Sequence, residues 1–356
     1  MVTLRRYPHE RKDGDVRAKG MTYDTGFIRH GELSRESFDP EVVRRELAII
    51  RDDLHCNAVQ VIGGDPGRLE FAARCAAGLG LEVWFSPYPL ELAPAEILAL
   101  FTDCAERAER LRAAGAEVVF VAGVELSVMN RGFMTGGTVG ERLALLLDDP
   151  GGRAERLAGV RARLGGFLRT AVAEVRRRFL GRVTYAAIPF EVSDWALFDI
   201  VSVELIRSAE VAGQFAEAVR ALVAEGKPVA ITGFGASTYQ GAGDRGARGM
   251  EIVEYDEDTG APVRLNGRYL RDEAGQATYL SEVLEVLASE GVDSAFVFLF
   301  ALAGFPHRPD GDPRYDLDLA SPGIVKYPEG RGGAAYPGLP WEPKDAFAAV
   351  AGCYRA

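Results

Sequence analysis

The sequence predicts a single (β/α)8 barrel with an ordered carboxy-terminal extension. Short runs rich in β-branched and aromatic residues alternate with longer segments of helical period, which is typical of parallel strands joined by helices. Eight such runs occur in 356 residues, and neither a Gly-x-Gly-x-x-Gly nor a Walker-type sequence follows any of them. A doubly wound sheet would normally show fewer strands and a phosphate loop after the first, so the barrel is favoured.

The predicted strands and helices follow one another in regular order. The strand candidates span residues 20–25, 58–63, 82–86, 117–122, 183–188, 200–205, 228–233 and 294–301. The helices between them span residues 40–54, 66–79, 94–114, 157–179, 214–225 and 277–291. Pro40, Pro66 and Pro94 stand at or near helix starts, where a missing N–H costs nothing. Between strands five and six the sequence leaves only a short turn of helix around residues 193–198.

Two long loops and the tail complete the predicted organisation. The loops at residues 130–150 and 234–276 follow strands four and seven, so they mark the substrate side at the carboxyl ends of the strands. The tail is dense in Pro, Gly and Tyr and ends in a helical segment, which favours packing over one mouth of the barrel. We therefore predict an N-terminal extension (1–18), a barrel (19–305) and a C-terminal extension (306–356) packed on the barrel.

Composition narrows the classes of partner. The chain has 41 Lys+Arg against 52 Asp+Glu, a formal net charge of -11, which disfavours nucleic acid and anionic membranes. It has neither an apolar run of roughly 20 residues nor a secretory signal, so we expect a cytoplasmic protein. The four histidines and four cysteines show no ligand spacing, and the histidines no obvious carboxylate partner. We expect no metal and no cofactor, and a small-molecule or carbohydrate substrate.

Two glutamates near strand ends are the leading catalytic candidates. Glu125 follows an apolar run expected of a buried strand, so burial would raise its pKa into the range of a general acid. The alternative for Glu125 is a carboxylate that caps the next turn or pairs with Arg131. Glu204 lies inside strand six, where it either takes part in catalysis or forms a structural ion pair, for example with Arg207.

A third carboxylate and several binding residues complete the candidate site. Glu191 lies on the turn after strand five, where nearby Asp194 is interpreted as a helix cap. Polar side chains at strand ends point at the mouth of a barrel, and aromatic faces stack on sugar rings or other planar or apolar substrate surfaces. The residues predicted to bind substrate are Tyr23, Asp24, Gln60, Phe85, Trp195, Arg207, Thr232, Gly233, Tyr239 and Phe305.

Several segments carry a resemblance to a known family. They include Lys19-Gly20-Met21-Thr22-Tyr23-Asp24, Gly123-Val124-Glu125-Leu126-Ser127, Thr184-Tyr185-Ala186-Ala187 and Thr232-Gly233-Phe234-Gly235. These segments resemble the glycoside hydrolase barrels of the large retaining clan, particularly a β-mannanase-like branch of bacterial proteins often labelled abortive infection proteins. The likeness runs over nearly the whole chain from about Gly20 onward, and it implies the same barrel fold.

The resemblance also implies a mechanism that this sequence meets only in part. Such enzymes use a glutamate after strand four as general acid/base, which Glu125 matches, and a second glutamate after strand seven as nucleophile. The second position is Gly233, which has no carboxylate. In addition, Val124, Gln60 and Ile206 stand where the resemblance implies an asparagine, an arginine and a tyrosine.

These departures leave three interpretations of the function. In the first, Glu125 acts as general acid/base with Glu191 or Glu204 as second carboxylate, in inverting or substrate-assisted glycoside cleavage or in a repurposed cyclisation, elimination or isomerisation. In the second, the chain is an inactive barrel that binds a carbohydrate or a partner protein. In the third, Gly233 is a single change in an otherwise active hydrolase.

Overall fold

A closed barrel of eight parallel strands forms the centre of the molecule, as the sequence predicts. The computed structural model describes residues 15–29, 32–147, 152–192, 194–256 and 259–355. Each strand pairs with its neighbours in chain order, and the last pairs with the first. The strands are β1 (Ala18–Asp24), β2 (Ala58–Gly63), β3 (Glu82–Pro87), β4 (Val118–Val124), β5 (Arg182–Ala187), β6 (Val201–Glu204), β7 (Val229–Phe234) and β8 (Ser294–Val297).

Helices surround the barrel and fill its longer loops. None of the helices in the described ranges combines the length and the apolar character that a bilayer crossing requires. Asp39 and Asp65 cap α1 and α2 by accepting hydrogen bonds from backbone N–H groups of the first turn. The α-helices are α1 (Pro40–Asp52), α2 (Pro66–Gly78), α3 (Pro94–Ala113), α4 (Leu126–Met129), α5 (Val139–Leu147), α6 (Arg153–Arg176), α7 (Phe215–Val223), α8 (Ala242–Arg245), α9 (Glu273–Ser289) and α10 (Asp345–Arg355).

Short elements lie in the loops and in the extension. Short 3-10 helices span Ala212–Gln214, Gly246–Ile252, Pro313–Tyr315 and Leu317–Ala320. Two hairpins pair Ile28–Arg29 with Glu32–Leu33 and Val253–Tyr255 with Pro262–Leu265. A small sheet in the C-terminal extension contains Pro306–His307, Val325–Pro328 and Glu342–Pro343.

Two local predictions differ from the structure. The helix predicted around residues 193–198 is absent from the described residues there, which form turns. Lys227 explains this, because its Nζ donates to the carbonyl oxygens of Trp195 and Phe198 at 2.7 Å each and holds groups that a helix would use internally. The predicted loop 130–150 contains α5, which is anchored by the fully buried Arg142 donating to the carbonyl oxygen of Val128.

The two ends of the barrel interior differ in chemistry. Large rings fill the middle, where the Trp84 and Phe296 centroids are 4.7 Å apart. At the amino-terminal end, the nearly buried carboxylate of Glu82 accepts from Arg17 at 2.6 Å, from Arg182 at 3.2 Å and from the Trp84 indole at 2.8 Å. Arg17 also pairs with Asp293 at 2.9 Å. Carboxylates at this end are therefore matched by arginines, as expected of a stabilising plug.

The C-terminal extension makes buried polar contacts with the barrel. The Trp341 indole donates to Glu46 of α1 at 2.9 Å, and the Tyr354 hydroxyl of α10 donates to the carbonyl oxygen of Gly20 at 3.0 Å. Lys344 is fully buried, with its Nζ 2.9 Å from an oxygen of Asp318. The same ammonium group donates to the Thr238 hydroxyl in the loop after β7. The extension is thus held by specific pairs as well as by apolar packing.

The Asp318→Asn substitution tests the buried ion pair. It leaves the buried Lys344 ammonium without its salt-bridge partner and also removes one of the carboxylates that pair with Arg271, so we expect the free energy of unfolding to fall by about 3 kcal/mol in urea denaturation. Glu329→Gln is the matched control, because Glu329 pairs with Arg308 at the surface and its loss should cost less than about 1 kcal/mol. Equal losses in the two variants would contradict the role given to Asp318.

Candidate active site

Glu125 lies on the sharp turn that joins β4 to α4. Its backbone is left-handed, with φ 46°, and its N–H donates to the carbonyl oxygen of Ala186 on β5 at 2.9 Å. Arg131 does not pair with it: that guanidinium donates to the carbonyl oxygen of Glu91 at 2.8 Å and contacts Glu96. The ion pair left open by the sequence is therefore not formed, and the Glu125 side chain is partly exposed at the carboxyl end of the barrel.

Glu191 supports the backbone that carries Glu125. Its buried carboxylate accepts three hydrogen bonds, from the backbone N–H of Ser127 at 2.9 Å, the Tyr185 hydroxyl at 2.8 Å and the backbone N–H of Ile188 at 3.0 Å. The Tyr185 oxygen in turn accepts from the backbone N–H of Leu126 at 2.9 Å. Because its lone pairs are used in this way, Glu191 is placed to orient the turn after β4.

Glu204 lies at the end of β6, directly beside Gly233 of β7. A Cβ built on Gly233 would be 1.6 Å from Oε2 of Glu204, so the carboxylate occupies the space of a side chain at position 233. The other oxygen, Oε1, is buried and has no hydrogen-bond partner among the described residues. Arg207 turns away and donates to Glu282 of α9 at 2.6 Å, so it does not form the ion pair that the sequence left open for Glu204.

The electrostatics of the three carboxylates follow from burial without cations. Burial, together with the charges of Glu204 and Glu191, raises the pKa of Glu125 to about 8. Burial also raises the pKa of Glu204 to about 7, against a lowering by the nearby Thr232 hydroxyl. Burial raises the pKa of Glu191, although its hydrogen bonds oppose this. No Lys or Arg in the described ranges forms a salt bridge with any of the three, so no cation there offsets the effect of burial.

Other polar atoms of the barrel interior also lack partners. Within the described part of the chain, Thr22 Oγ1 on β1 and Gln60 Oε1 on β2 are buried without a hydrogen bond. Asp24, at the end of β1, accepts from the backbone N–H of Gly26, and burial raises its pKa to about 6. Buried polar groups normally have partners, so these atoms mark a surface that a polar ligand or water would satisfy.

Two half-buried aromatic residues lie at the carboxyl ends of β3 and β8. Phe298 follows β8, two residues after Phe296, whose ring lies inside the barrel. Tyr88 follows β3 and packs against the same interior cluster. Phe298 was not among the residues predicted from the sequence to bind substrate, and it lies just beyond the end of β8.

Strand register moves two predicted binding residues away from the interior. The Tyr23 hydroxyl donates to Glu46 of α1 at 2.5 Å, and the Phe85 ring stacks on Phe120 with centroids 6.4 Å apart. Both side chains therefore face the helical layer, whereas Thr22, one residue before Tyr23, faces inward. A shift of one residue along a strand exchanges the two faces, which explains the difference from the prediction.

The remaining predicted residues lie in other contacts. Trp195 packs against Phe198 ahead of β6, and Arg207 lies over the Tyr279 ring of α9. Tyr239 and Phe305 are buried in the cluster formed by the loop after β7 and the extension. The structure thus brings together the set Glu125, Glu191, Glu204, Thr232 and Gly233, with Gln60 and Asp24 on the same end of the barrel.

One histidine does have a carboxylate partner. His307 Nδ1 lies 3.0 Å from Asp316, which itself pairs with Arg271. The short strand carrying His307 and a turn nine residues later bring these groups together, which spacing alone did not indicate. His9 and His30 lie outside the described residues. Within those ranges, no three His, Cys, Asp or Glu side chains cluster as metal ligands do.

Comparison with known proteins identifies related folds. No family model and no curated protein matches the chain. It is similar to a GH113 β-1,4-mannanase (TM-score 0.58, 15% identity, 96% of this chain and 100% of the other). It is also similar to a GH5-4 endoglucanase from Clostridium longisporum (0.52, 10%, 96% and 99%) and to Cel5A of Thermotoga maritima (0.51, 11%, 87% and 98%). At such identities the similarity shows the (β/α)8 barrel fold alone.

The Glu204→Gln substitution tests the electrostatics through stability. A carboxyl whose pKa is higher in the folded than in the unfolded chain destabilises the fold once it ionises. The loss of stability is therefore absent near pH 4.5, the ordinary pKa of a glutamate, and reaches its full size above about pH 7. We expect the variant to be more stable than the parent by about 2 kcal/mol at pH 8 and equal to it at pH 4.5, in urea unfolding. Glu285→Gln, at an exposed position of α9, is the control. A gain of the same size at both pH values would contradict the assignment.

Proposed function

We propose that this chain is a glycoside-hydrolase-like enzyme that acts on a sugar or a sugar-like small molecule by acid/base chemistry. The observation that carries the proposal is the pair of largely buried carboxyls, Glu125 and Glu204, whose pKa values are raised to near neutrality and which form no salt bridge with a cation among the described residues. Paired carboxyls of this kind perform glycoside chemistry, because one donates a proton to the leaving oxygen while the other accepts a proton from water or acts as the nucleophile.

The surrounding surface supports a polyhydroxylated ligand. Gln60 Oε1 can only accept a hydrogen bond, whereas the Thr22 hydroxyl can donate or accept. A sugar hydroxyl is both donor and acceptor, so a sugar ring satisfies such a mixed set without loss. The half-buried rings of Phe298 and Tyr88 add apolar faces at the same end. The similar solved structures include a mannanase and an endoglucanase, which agrees with this class of substrate.

The two carboxyls divide the roles of acid and base. Burial raises the pKa of both toward neutrality, so the pair retains a proton there, and we assign that proton to Glu125 and the negative charge to Glu204. Protonated Glu125 then donates to the leaving oxygen as the glycosidic C–O bond breaks. Ionised Glu204 takes a proton from water or from substrate. Glu191 and Tyr185 hold the turn that aims Glu125.

Several reactions use this arrangement. Because residue 233 has no carboxylate, we propose a reaction other than ordinary retaining hydrolysis with a strand-seven nucleophile. Inverting or substrate-assisted cleavage needs only an acid and a base, and so does a cyclase, lyase or isomerase step of a biosynthetic pathway. The second candidate function is an inactive barrel that binds carbohydrate or a partner protein. The absence of a carboxylate at residue 233 favours this second function, because the expected nucleophile is missing. The unpartnered polar atoms would then serve only to bind a ligand.

The turnover rate of the Glu125→Gln variant distinguishes the catalytic function from the binding function. On a panel of aryl and alkyl glycosides, we expect kcat/KM to fall by about 100-fold to 10,000-fold for poor leaving groups such as alkyl alcohols. Dinitrophenyl glycosides need little protonation, so their loss should be far smaller. Glu285→Gln again serves as the control.

Two results would count against the catalytic proposal. Turnover that is unchanged in Glu125→Gln would remove Glu125 from the mechanism. Sugar binding by calorimetry without any turnover in the parent protein would favour the inactive, binding barrel.

A further inference from the structure

We infer that Gly233 is a positioning residue for Glu204: its missing side chain leaves the space from which β6 presents a carboxylate to Glu125. The inference deepens the proposed function and rests on it for its catalytic meaning. It assigns to Gly233 a function that requires glycine, whereas the sequence alone shows only a missing carboxylate.

Space, not backbone conformation, makes glycine necessary at this position. The φ of Gly233 lies outside the left-handed region, so the backbone there suits any residue. An added Cβ would be 1.6 Å from Oε2 and 2.7 Å from the carboxyl carbon of Glu204. Contacts that short do not occur between non-bonded atoms. Alanine at 233 and the present position of the Glu204 carboxylate therefore exclude each other.

The register of two strands produces this close approach. Val203 pairs with Ile231, but the next residue, Glu204, pairs with Gly233, so Thr232 is an extra residue in β7. Such a bulge re-aims the side chains beside it. Here it sets Glu204 level with Gly233, and the Glu204 side chain crosses to the neighbouring strand. The carboxylate that residue 233 lacks in the sequence is thus present beside it in space.

The placement also links Glu204 to Glu125. After burial itself, the largest cause of the raised pKa of Glu125 is the charge of Glu204. Glu204 Oε1 is buried and unpartnered among the described residues, so it is available to a reacting group. Moving Glu204 out of its space would therefore change two things at once: the protonation of Glu125 and the supply of the second carboxylate.

The test compares Gly233→Ala, Glu204→Gln and the exchange variant Glu204→Gly/Gly233→Glu. The first readout is the pKa of Glu125, which is measured without substrate by a ¹³C NMR titration of the glutamate carboxyls. We expect Gly233→Ala and Glu204→Gln to lower it by similar amounts, and the exchange variant to restore most of the shift. The second readout is kcat/KM, expected to fall about 100-fold in each single variant and to recover about tenfold in the exchange variant.

Controls keep the outcome clear. Gly78→Ala, at an exposed helical site with open space around an added Cβ, should change neither readout. If Gly233→Ala does not fold, Glu204→Ala/Gly233→Ala removes the clash, and its recovered folding supports the steric link. A Glu125 pKa unchanged by Gly233→Ala in a folded protein would overturn the inference. If the parent protein turns over no sugar, the proposed function fails, but the NMR titration still decides whether Gly233 positions Glu204.

Discussion

Burial of neighbouring carboxylates within one barrel mouth is the constraint on which the site depends. Glu125, Glu191 and Glu204 are held together by elements that cannot easily separate, since they extend from three strands of a closed barrel. Each is removed at least partly from water, and in the described ranges none has a cationic partner. The consequence is that protons are retained at a pH where isolated carboxyls are fully ionised. Burial, reinforced by the neighbouring negative charges, thus gives a pair of carboxyls that can donate and accept a proton near neutral pH.

The opposite end of the barrel shows what the same residue types do when they serve stability. There, burial would raise the pKa of Asp293, but hydrogen bonds and charge from Arg17 lower it instead. Glu82 likewise has two arginines and an indole N–H as partners. The two ends of the barrel thus hold carboxylates in two different environments. The paired ones close the floor of the barrel, and the unpaired ones are confined to the end where loops can admit a ligand.

Much of the fold, but only part of the site, follows from the sequence. All eight strands were predicted from the hydrophobic pattern of the sequence. Glu125 was predicted because it is a polar residue directly after an apolar strand. The mutual position of Glu204 and Gly233 depends on a bulge at Thr232, which is a property of strand pairing and leaves no local mark in the sequence. Tyr185 lay inside a recognised segment, but its link to Glu191 needs the folded turn. Tyr23 was misplaced because a single residue of register decides which face of β1 it occupies.

The contact between α10 and the barrel has a consequence for how the chain closes. The Tyr354 hydroxyl donates to the carbonyl oxygen of Gly20 on β1 and lies 3.2 Å from that of Ala295 on β8. It therefore bridges the seam where the first and last strands meet, and Lys19 adds a second bond to the Tyr354 carbonyl oxygen. Residues 18–297 form every strand of the barrel, yet this fastening comes from a helix that emerges from the ribosome after all of them. The first and last strands can therefore pair before α10 is made, and the Tyr354 hydroxyl adds its bonds across a seam that is already complete.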